Sequence, residues 1–403
     1  MSKLFHHKFS DLYEMNSGIS SKPEQAGHGA PFVSFKTVFN NFFLPKELSD
    51  LMDTSETEQS IFSVKEGDIF LTRTSETLDE LGMSSVAYKD YPQATYSGFL
   101  KRLRPINPKE AYPKYMAFYL RSKLFRKTMN NNAIMTLRAS LNEQIFSYLD
   151  LLLPSYEEQK NIGDLLFSIY EKIELNNGIN TELEQMAKTL YDYWFVQFDF
   201  PNEDGKPYKS SGGKMIYNDI LKREIPNGWS VKKLGKYTDI KKGTLITEKT
   251  ANTEGNIKVV SAGLNFSYYH SEPNFKENTI TVSASGANAG YVNFWREPIF
   301  ACDCTTLRGK NTTETLFVLE FLKLMQDHIY KQAKGSAQPH VYPKDIEILN
   351  IIIPSEDILD KYGFVIEPIN QKITNNLQQN QELSSLRDWL LPMLMNGQVK
   401  VAD

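Results

Sequence analysis

Between Ile162 and Trp194 the apolar positions recur in alternating steps of four and three. They are Ile162, Leu166, Ile169, Ile173, Leu183, Ala187, Leu190 and Trp194, with Asn176 and Asn180 filling the two remaining seam places. This heptad spacing predicts one long helix over residues 156–194, packed lengthwise against another helix. At about 1.5 Å per residue it would be about 60 Å long. Its other faces are too polar for a membrane span, so the partner must be soluble protein. That partner lies in the same chain. Two hundred residues further on, the seam reads Tyr362, Ile366, Ile369, Ile373, Asn376, Asn380, Leu383, Arg387, Leu390 and Leu394. Pro154-Ser155 recurs as Pro354-Ser355, Lys172-Ile173 as Lys372-Ile373, and Glu182-Leu183 as Glu382-Leu383, with no gap needed. A repeat in one unbroken register marks an internal duplication. Ser155 is a natural N-cap, and Glu157 and Glu158 suit the first turn of the first helix. If the two helices pair antiparallel about a pseudo-twofold, Asn176 meets Asn380 and Asn180 meets Asn376. Ile169, Ile173, Ile369 and Ile373 then form the flanking core. Four amides can satisfy one another there, as a buried Asn fixes register in other coiled coils.

The pattern shortens outside the helices. Residues 1–155 mix strand-like runs, such as Ala30–Phe35 and Gly67–Thr72, with turns, and Tyr115–Met129 has helical periodicity. After Trp194 the periodicity dissolves, and residues 200–224, rich in Gly, Pro and Ser, have the composition of a linker. A second globular region covers residues 225–354, ahead of a second helical segment at 355–403. It echoes the first region faintly: Phe9–Gly18 aligns with Leu234–Gly243, Gly67–Arg73 with Asn278–Ala284, and Leu103-Arg104 with Leu307-Arg308. The expected fold is therefore mixed α/β, with two globular domains, at 1–155 and 225–354, separated by two long antiparallel coiled-coil helices.

Composition narrows the function. The net charge is −4, less basic than most nucleic-acid binders. The charge is uneven, however. From Phe99 to Arg138 ten bases face one acid, whereas from Leu44 to Glu80 ten acids face three bases. A basic face beside an acidic one suits a protein that grips phosphates on one side. Cys302 and Cys304 stand alone, too close for a conventional disulfide staple, and suit a reducing compartment. The first fifteen residues have no apolar signal region, and no apolar run reaches membrane length, so a cytoplasmic location is expected. No dinucleotide or Walker phosphate loop, no His-Glu-x-x-His pair and no nucleophile-plus-base pattern occurs. Ser283–Gly290 reads as a loop between strands rather than a phosphate cradle. The chain looks built to bind rather than to react.

Leu153-Pro-Ser-Tyr-Glu-Glu-Gln-Lys160, Lys172–Asn176, Ile179-Asn180, Leu183–Ala187 and Tyr193–Asp199 together resemble the central conserved region of type I restriction-modification specificity subunits. Pro354–Val401 is similar to the distal copy in that family, with Glu-Glu-Gln replaced by Ser355-Glu-Asp-Ile-Leu359. Gly335–Pro339 is similar to the family's loop ahead of its second helix, from which Thr136–Ser140 departs. The resemblance implies two target recognition domains, each reading half of a split sequence in double-stranded DNA. It implies helices that set the spacing, and no catalysis in this chain. The implied partners are two modification subunits, carrying S-adenosylmethionine, and translocating restriction subunits, using ATP and magnesium. No metal or cofactor is expected on this chain itself.

The strand-following loops supply the candidate base contacts: Thr72, Arg73, Thr74, Ser75, Ser283, Ser285 and Asn288. Opposite them stand Arg138, Lys334, Ser336, Gln338 and His340. The phosphate candidates are Lys101, Arg102, Lys241, Lys242 and Lys310. Two other readings remain open. One is the recognition subunit of a bifunctional restriction-modification enzyme, and the other is a coiled-coil scaffold that binds protein rather than DNA.

Overall fold

A computed structural model describes residues 3–75, 80–132, 139–140, 143–333 and 339–401. The chain forms two compact units, one from Met1–Leu175 with Gln379–Asp403, the other from Asn176–Gln378. These divisions differ from a domain-then-helix order along the chain. The seam explains why: an apolar stripe is buried only where both helices and a sheet come together, so each unit takes part of each helix.

The first unit has strands β1 (Phe5–Lys8), β2 (Tyr13–Ser17), β3 (Ala26–Val33), β4 (Leu51–Met52), β5 (Ile69–Thr72), β6 (Thr74–Ser75), β7 (Ser84–Val86), β8 (Thr95–Tyr96), β9 (Leu100–Pro105), β10 (Ala139–Ser140) and β11 (Asp150–Leu153). Its helices are α1 (Phe9–Leu12), α2 (Phe35–Asn40), α3 (Glu56–Ile61), α4 (Pro113–Tyr119), α5 (Lys123–Asn132), α6 (Glu143–Tyr148) and the start of α7 (Tyr156–Tyr191). The second unit has strands β12 (Met215–Asn218), β13 (Arg223–Pro226), β14 (Ser230–Lys233), β15 (Asp239–Lys242), β16 (Ile257–Val260), β17 (Phe266–His270), β18 (Thr279–Ser283), β19 (Val292–Trp295), β20 (Ile299–Ala301), β21 (Cys304–Arg308) and β22 (Asn350–Ile353). Its helices are α8 (Leu234–Tyr237), α9 (Thr312–Leu324), α10 (Gln326–Gln332), α11 (Pro343–Glu347) and most of α12 (Glu356–Met395).

The duplication holds in the order of the sheets, the β12-β13 hairpin being an addition of the second unit. The antiparallel sheet β2-β9-β5-β7 recurs as β15-β21-β18-β19, and β4-β3-β8 as β17-β16-β20. The parallel pairing of β3 with β8 recurs between β16 and β20. The pair β1-β11 recurs as β14-β22, and β6-β10 as a single bridge between Ser285 and His340. Shared close contacts accompany this frame. A Cβ on Gly18 would sit 2.3 Å from the Ser97 carbonyl oxygen, and one on Gly243 would sit 2.1 Å from that of Cys302. Both glycines let the chain pass flush against a neighbouring strand.

Alternation along β5 divides the first unit's apolar interior. Ile69 and Leu71 enter a core with Phe9, Tyr115 and Phe118, while Phe70 enters a second core with Val33, Val38 and Tyr96. A strand buried on both faces must be apolar at successive positions, as Ile-Phe-Leu is. Ile162, Leu166 and Phe167 of α7 and Leu394 and Met395 of α12 join the first of these cores. In the second unit, Ala187, Tyr191 and Trp194 join Ile358, Tyr362 and Ile366 around Ile280, Val282 and Phe317.

Two sequence expectations change. The helix expected over Tyr115–Met129 is two helices. Ser122 Oγ donates to the Tyr119 carbonyl at 2.6 Å and accepts from Phe125 N at 3.3 Å, ending one helix and capping the next. Residues 200–224 are not a linker. Phe200 is buried, stacked on Tyr208 at 4.6 Å and on Trp229 at 4.8 Å. The Asp199 carboxylate accepts from Ser210 N and Oγ, and β12 pairs with β13 as a hairpin. The glycines and prolines that looked like linker are turn residues, with Gly205 and Gly212 at positive φ.

The seam is buried or half-buried at every expected position. In the second unit Asn376 Nδ2 donates to Asn180 Oδ1 at 2.8 Å, and the ring of Trp194 lies 6.0 Å from that of Tyr362. Rising numbers on one helix meet falling numbers on the other, so the pairing is antiparallel. Asn176 is also buried, and Asn380 is half-buried. Replacing Asn376 by Leu removes the bond to a buried amide oxygen and should cost about 1–3 kcal/mol. Replacing Asn180 and Asn376 together by Leu should recover that loss, because two apolar groups then meet. Thermal melting of the single and double variants checks this: additive losses would show that the amides act separately.

Candidate nucleic-acid interface

In each unit the four-stranded sheet ends in loops that gather polar side chains. β5 ends at Thr72, fully buried, whose hydroxyl donates to the Glu80 carbonyl at 3.0 Å and accepts from Met83 N at 2.9 Å. Both hydroxyl functions serve the loop, so Thr72 positions it rather than touching a base. Arg73 follows and is exposed, its N–H donating to the Phe99 carbonyl at 2.9 Å. Thr74 is half-buried in β6, and Ser75 pairs with Ala139 through that strand. The counterpart of Thr72 in the second unit is Ser283, also buried. Thr72 N bonds Met83 O and Ser283 N bonds Tyr291 O, while Gly82 N and Gly290 N return to Thr72 O and Ser283 O. Ser283 is likewise withdrawn from the surface at the matching strand end.

Ser285 Oγ donates to Asp303 Oδ2 at 2.6 Å, and its backbone bridges to His340. The His340 ring stacks on Tyr342 at 6.0 Å. Asn288 is half-buried in the turn that follows, its carbonyl accepting from Tyr291 N. The structure thus gathers Ser285, Asn288 and His340 beyond the ends of β18 and β21, and Arg73 and Thr74 beyond β5. Arg138, Lys334, Ser336 and Gln338 lie outside the described residues.

The basic stretch of the first unit turns largely inward. β9 lies in the middle of its sheet, so its side chains alternate into two interiors. Arg102 is buried, donating from Nη1 to the Ser63 carbonyl at 2.8 Å with its guanidinium over the Tyr96 ring. Arg104 grips Asp68 at 2.6 and 2.7 Å, bonds that raise its own pKa above the usual guanidinium value. Arg121 donates to the carbonyls of Ser84, Val38, Phe39 and Asn41, and burial pushes its pKa down to about 10. Arg126 donates to the Leu81 carbonyl at 2.6 Å. These arginines tie loops to the sheet, and Arg102 is not a free phosphate contact. The expected basic face is therefore much reduced, because half-buried strand and helix positions use guanidinium groups to satisfy carbonyls.

Lys101 is also mostly buried along its stem, and Nζ donates to Ser17 Oγ at 2.7 Å. Burial, and after it Arg73, holds its pKa below the usual lysine value. The second unit keeps a cation at the same cross-strand pair but on the other strand. Ser17 faces Lys101, whereas Lys242 faces Thr305. Lys242 is exposed, and so is Lys241, which pairs with Asp239 at 2.5 Å. Lys310 is exposed but follows the far end of β21, beyond Arg308, which faces Asp239. It is separated from the loop cluster by the length of that strand. Among the described residues no three His, Cys, Asp or Glu side chains come together to hold a metal ion. No helix among them is long and apolar enough to cross a membrane. Cys302 and Cys304 are buried free thiols, and burial pushes the Cys304 thiol up to about 12.

Residues 8–185 and 226–384 each match the family described as type I restriction modification DNA specificity domain. The chain is 25% identical, over 98% of its length and 93% of the relative's, to the Type I restriction enzyme MjaIX specificity subunit of Methanocaldococcus jannaschii. It is 24% identical to the HindI specificity subunit of Haemophilus influenzae, covering 91% of this chain and 94% of that one. A solved type I restriction-modification S subunit from M. genitalium shares the fold, with a TM-score of 0.62 and 17% identity, over 98% of this chain and 96% of that one.

The two kinds of cation predict different losses. Arg102→Ala removes a buried guanidinium from over the Tyr96 ring, together with its bond to the Ser63 carbonyl, and should cost about 1–3 kcal/mol in thermal melting. Lys242→Ala, on an exposed strand position, should stay within about 0.5 kcal/mol of the parent. Equal losses would show that burial does not separate their roles.

Proposed function

Because the chain belongs to the type I restriction modification DNA specificity family, we propose that each of its units reads one half of a two-part target in double-stranded DNA. The observation that carries this reading is the repeated frame. The family matches the chain twice, and the two units share one strand order while the side chains beyond the sheet ends differ. Exposed Lys242 fixes register on a phosphate, and loop side chains reach base edges.

In this reading the chain is not itself a catalyst. It works inside a restriction-modification complex, recruiting two modification subunits that carry S-adenosylmethionine and restriction subunits that use ATP and magnesium. The long helices provide the docking surface for the modification subunits, and their register sets the spacer between half-sites. In this reading the complex works in the cytoplasm, where a prokaryotic cell holds its DNA.

The purified chain should show neither methyltransferase nor nuclease activity, and adding modification subunits should yield methylation at one bipartite sequence. Sequencing methylated DNA from cells with and without the chain checks this; methylation independent of the chain would refute it. Replacing residues 1–150 with the matching segment of another family member should change one half-site only. Lys242→Ala in the assembled complex should lower the slope of log affinity against log salt by about 1 and weaken all sequences alike. A salt-independent association would favour the protein scaffold instead.

A further inference from the structure

The turn entering β9 and its counterpart entering β21 are fastened by one set of backbone bonds. Ile19 N donates to Tyr96 O, Ser97 N to Val33 O and Arg73 N to Phe99 O, at 2.9, 3.1 and 2.9 Å. In the second unit Thr244 N donates to Ala301 O, Cys302 N to Val260 O and Ala284 N to Asp303 O, at 2.9, 2.7 and 3.3 Å. Phe99 and Asp303 therefore occupy one place in the frame. Their side chains share no chemistry. Phe99 is 66% exposed, although its turn is held further by Gly98 N on Ile19 O and by Phe99 N on Ser97 Oγ. Asp303 is half-buried, one carboxylate oxygen accepting from Ser285.

An exposed phenylalanine alone signifies nothing. Here it stands at a pinned tip beside exposed Arg73, next to the strand that carries Lys101, and the same tip in the other unit carries an acid. Residues that hold this frame are kept between the copies: Gly18 and Gly243, Leu103-Arg104 and Leu307-Arg308. A position that keeps its backbone and changes its side chain is where two readers of different sequences can differ.

We infer that these tips read bases, Phe99 with Arg73 in the first half-site and Asp303 in the second. The inference rests on the DNA-recognition reading above. Major-groove chemistry assigns the contacts. Arg73 suits the O6 and N7 acceptors of guanine, Phe99 the methyl group of thymine, and Asp303 the amino group of cytosine. Ser285, by holding one carboxylate oxygen, orients the other as the acceptor.

The test uses the chain assembled with its modification subunits on a library of randomised half-sites, read by sequencing methylated products. Phe99→Ala should erase the preference for thymine at one position of the first half-site, a change of about fourfold, and leave the second intact. Phe99→Leu, still apolar, should retain most of it. Asp303→Asn should lose the cytosine preference at one position of the second half-site only. Unaltered target preferences in both variants, or a change in the wrong half-site, overturn the inference while the parent complex still methylates a bipartite target. A parent complex with no sequence preference overturns the DNA reading itself. If Phe99→Ala abolishes methylation with unchanged melting, restoration by Phe99→Leu supports the apolar contact, and failure to restore refutes it.

Discussion

An amphipathic helix thirty-six residues long cannot remain in water with its apolar stripe uncovered, and neither can the forty-residue helix near the other end of the chain. Everything else depends on how these two stripes are buried. Each unit closes its sheet core with a piece of both: Ile162 and Leu166 with Leu394 in one, Tyr191 and Trp194 with Tyr362 and Ile366 in the other. Neither core is complete from residues contiguous in sequence. The Asn180–Asn376 bond fixes register within this arrangement. An apolar seam tolerates sliding by a heptad, whereas an amide that slides onto Leu loses its partner in a buried place.

The net charge of −4 hides an uneven spread of cations, several of which are used inside the fold. Four arginines of the first unit's basic stretch are structural. Arg102, Arg104, Arg121 and Arg126 satisfy carbonyls or Asp68, and the planar guanidinium with five donors makes that economical. Lys101 and Lys242 hold a point charge at one cross-strand pair from opposite strands, which a flexible four-carbon stem permits. The side from which the charge arrives is free to change, while its place in the sheet is kept.

The two units separate frame from readout. Thr72 and Ser283 are buried hydroxyls at matching strand ends, and Gly18 and Gly243 lie flush against matching carbonyls. Neither glycine can gain a Cβ without moving backbone. Beyond them, Arg73 and Phe99 correspond to Ala284 and Asp303, and nothing in the frame constrains their type. Recognition of different half-sites by one fold requires that division: rigid backbone to hold side chains within reach of base edges, and freedom in the side chains themselves.

The heptad spacing and its repetition two hundred residues later were sufficient to identify both long helices, their seam residues and the duplication. Periodicity is a property of neighbouring residues and needs no knowledge of the rest of the chain. The strands Gly67–Thr72 and Asn278–Ser283 were legible for the same reason, through continuous apolar or β-branched runs. What lay beyond the sequence was every property that depends on which face a residue presents. Thr72, Ser283 and Arg102 have the composition of surface contacts, but β5, β9 and β18 are interior strands, so those side chains point into the protein. Residues 200–224 have the composition of a linker, but Phe200, Tyr208 and Trp229 stack once the hairpin closes. The division into units followed neither helix end, because burial joins segments about two hundred residues apart. The tips at Phe99 and Asp303 are likewise absent from any local pattern. Their equivalence exists only in backbone hydrogen bonds between distant strands, and only tertiary structure brings those strands together.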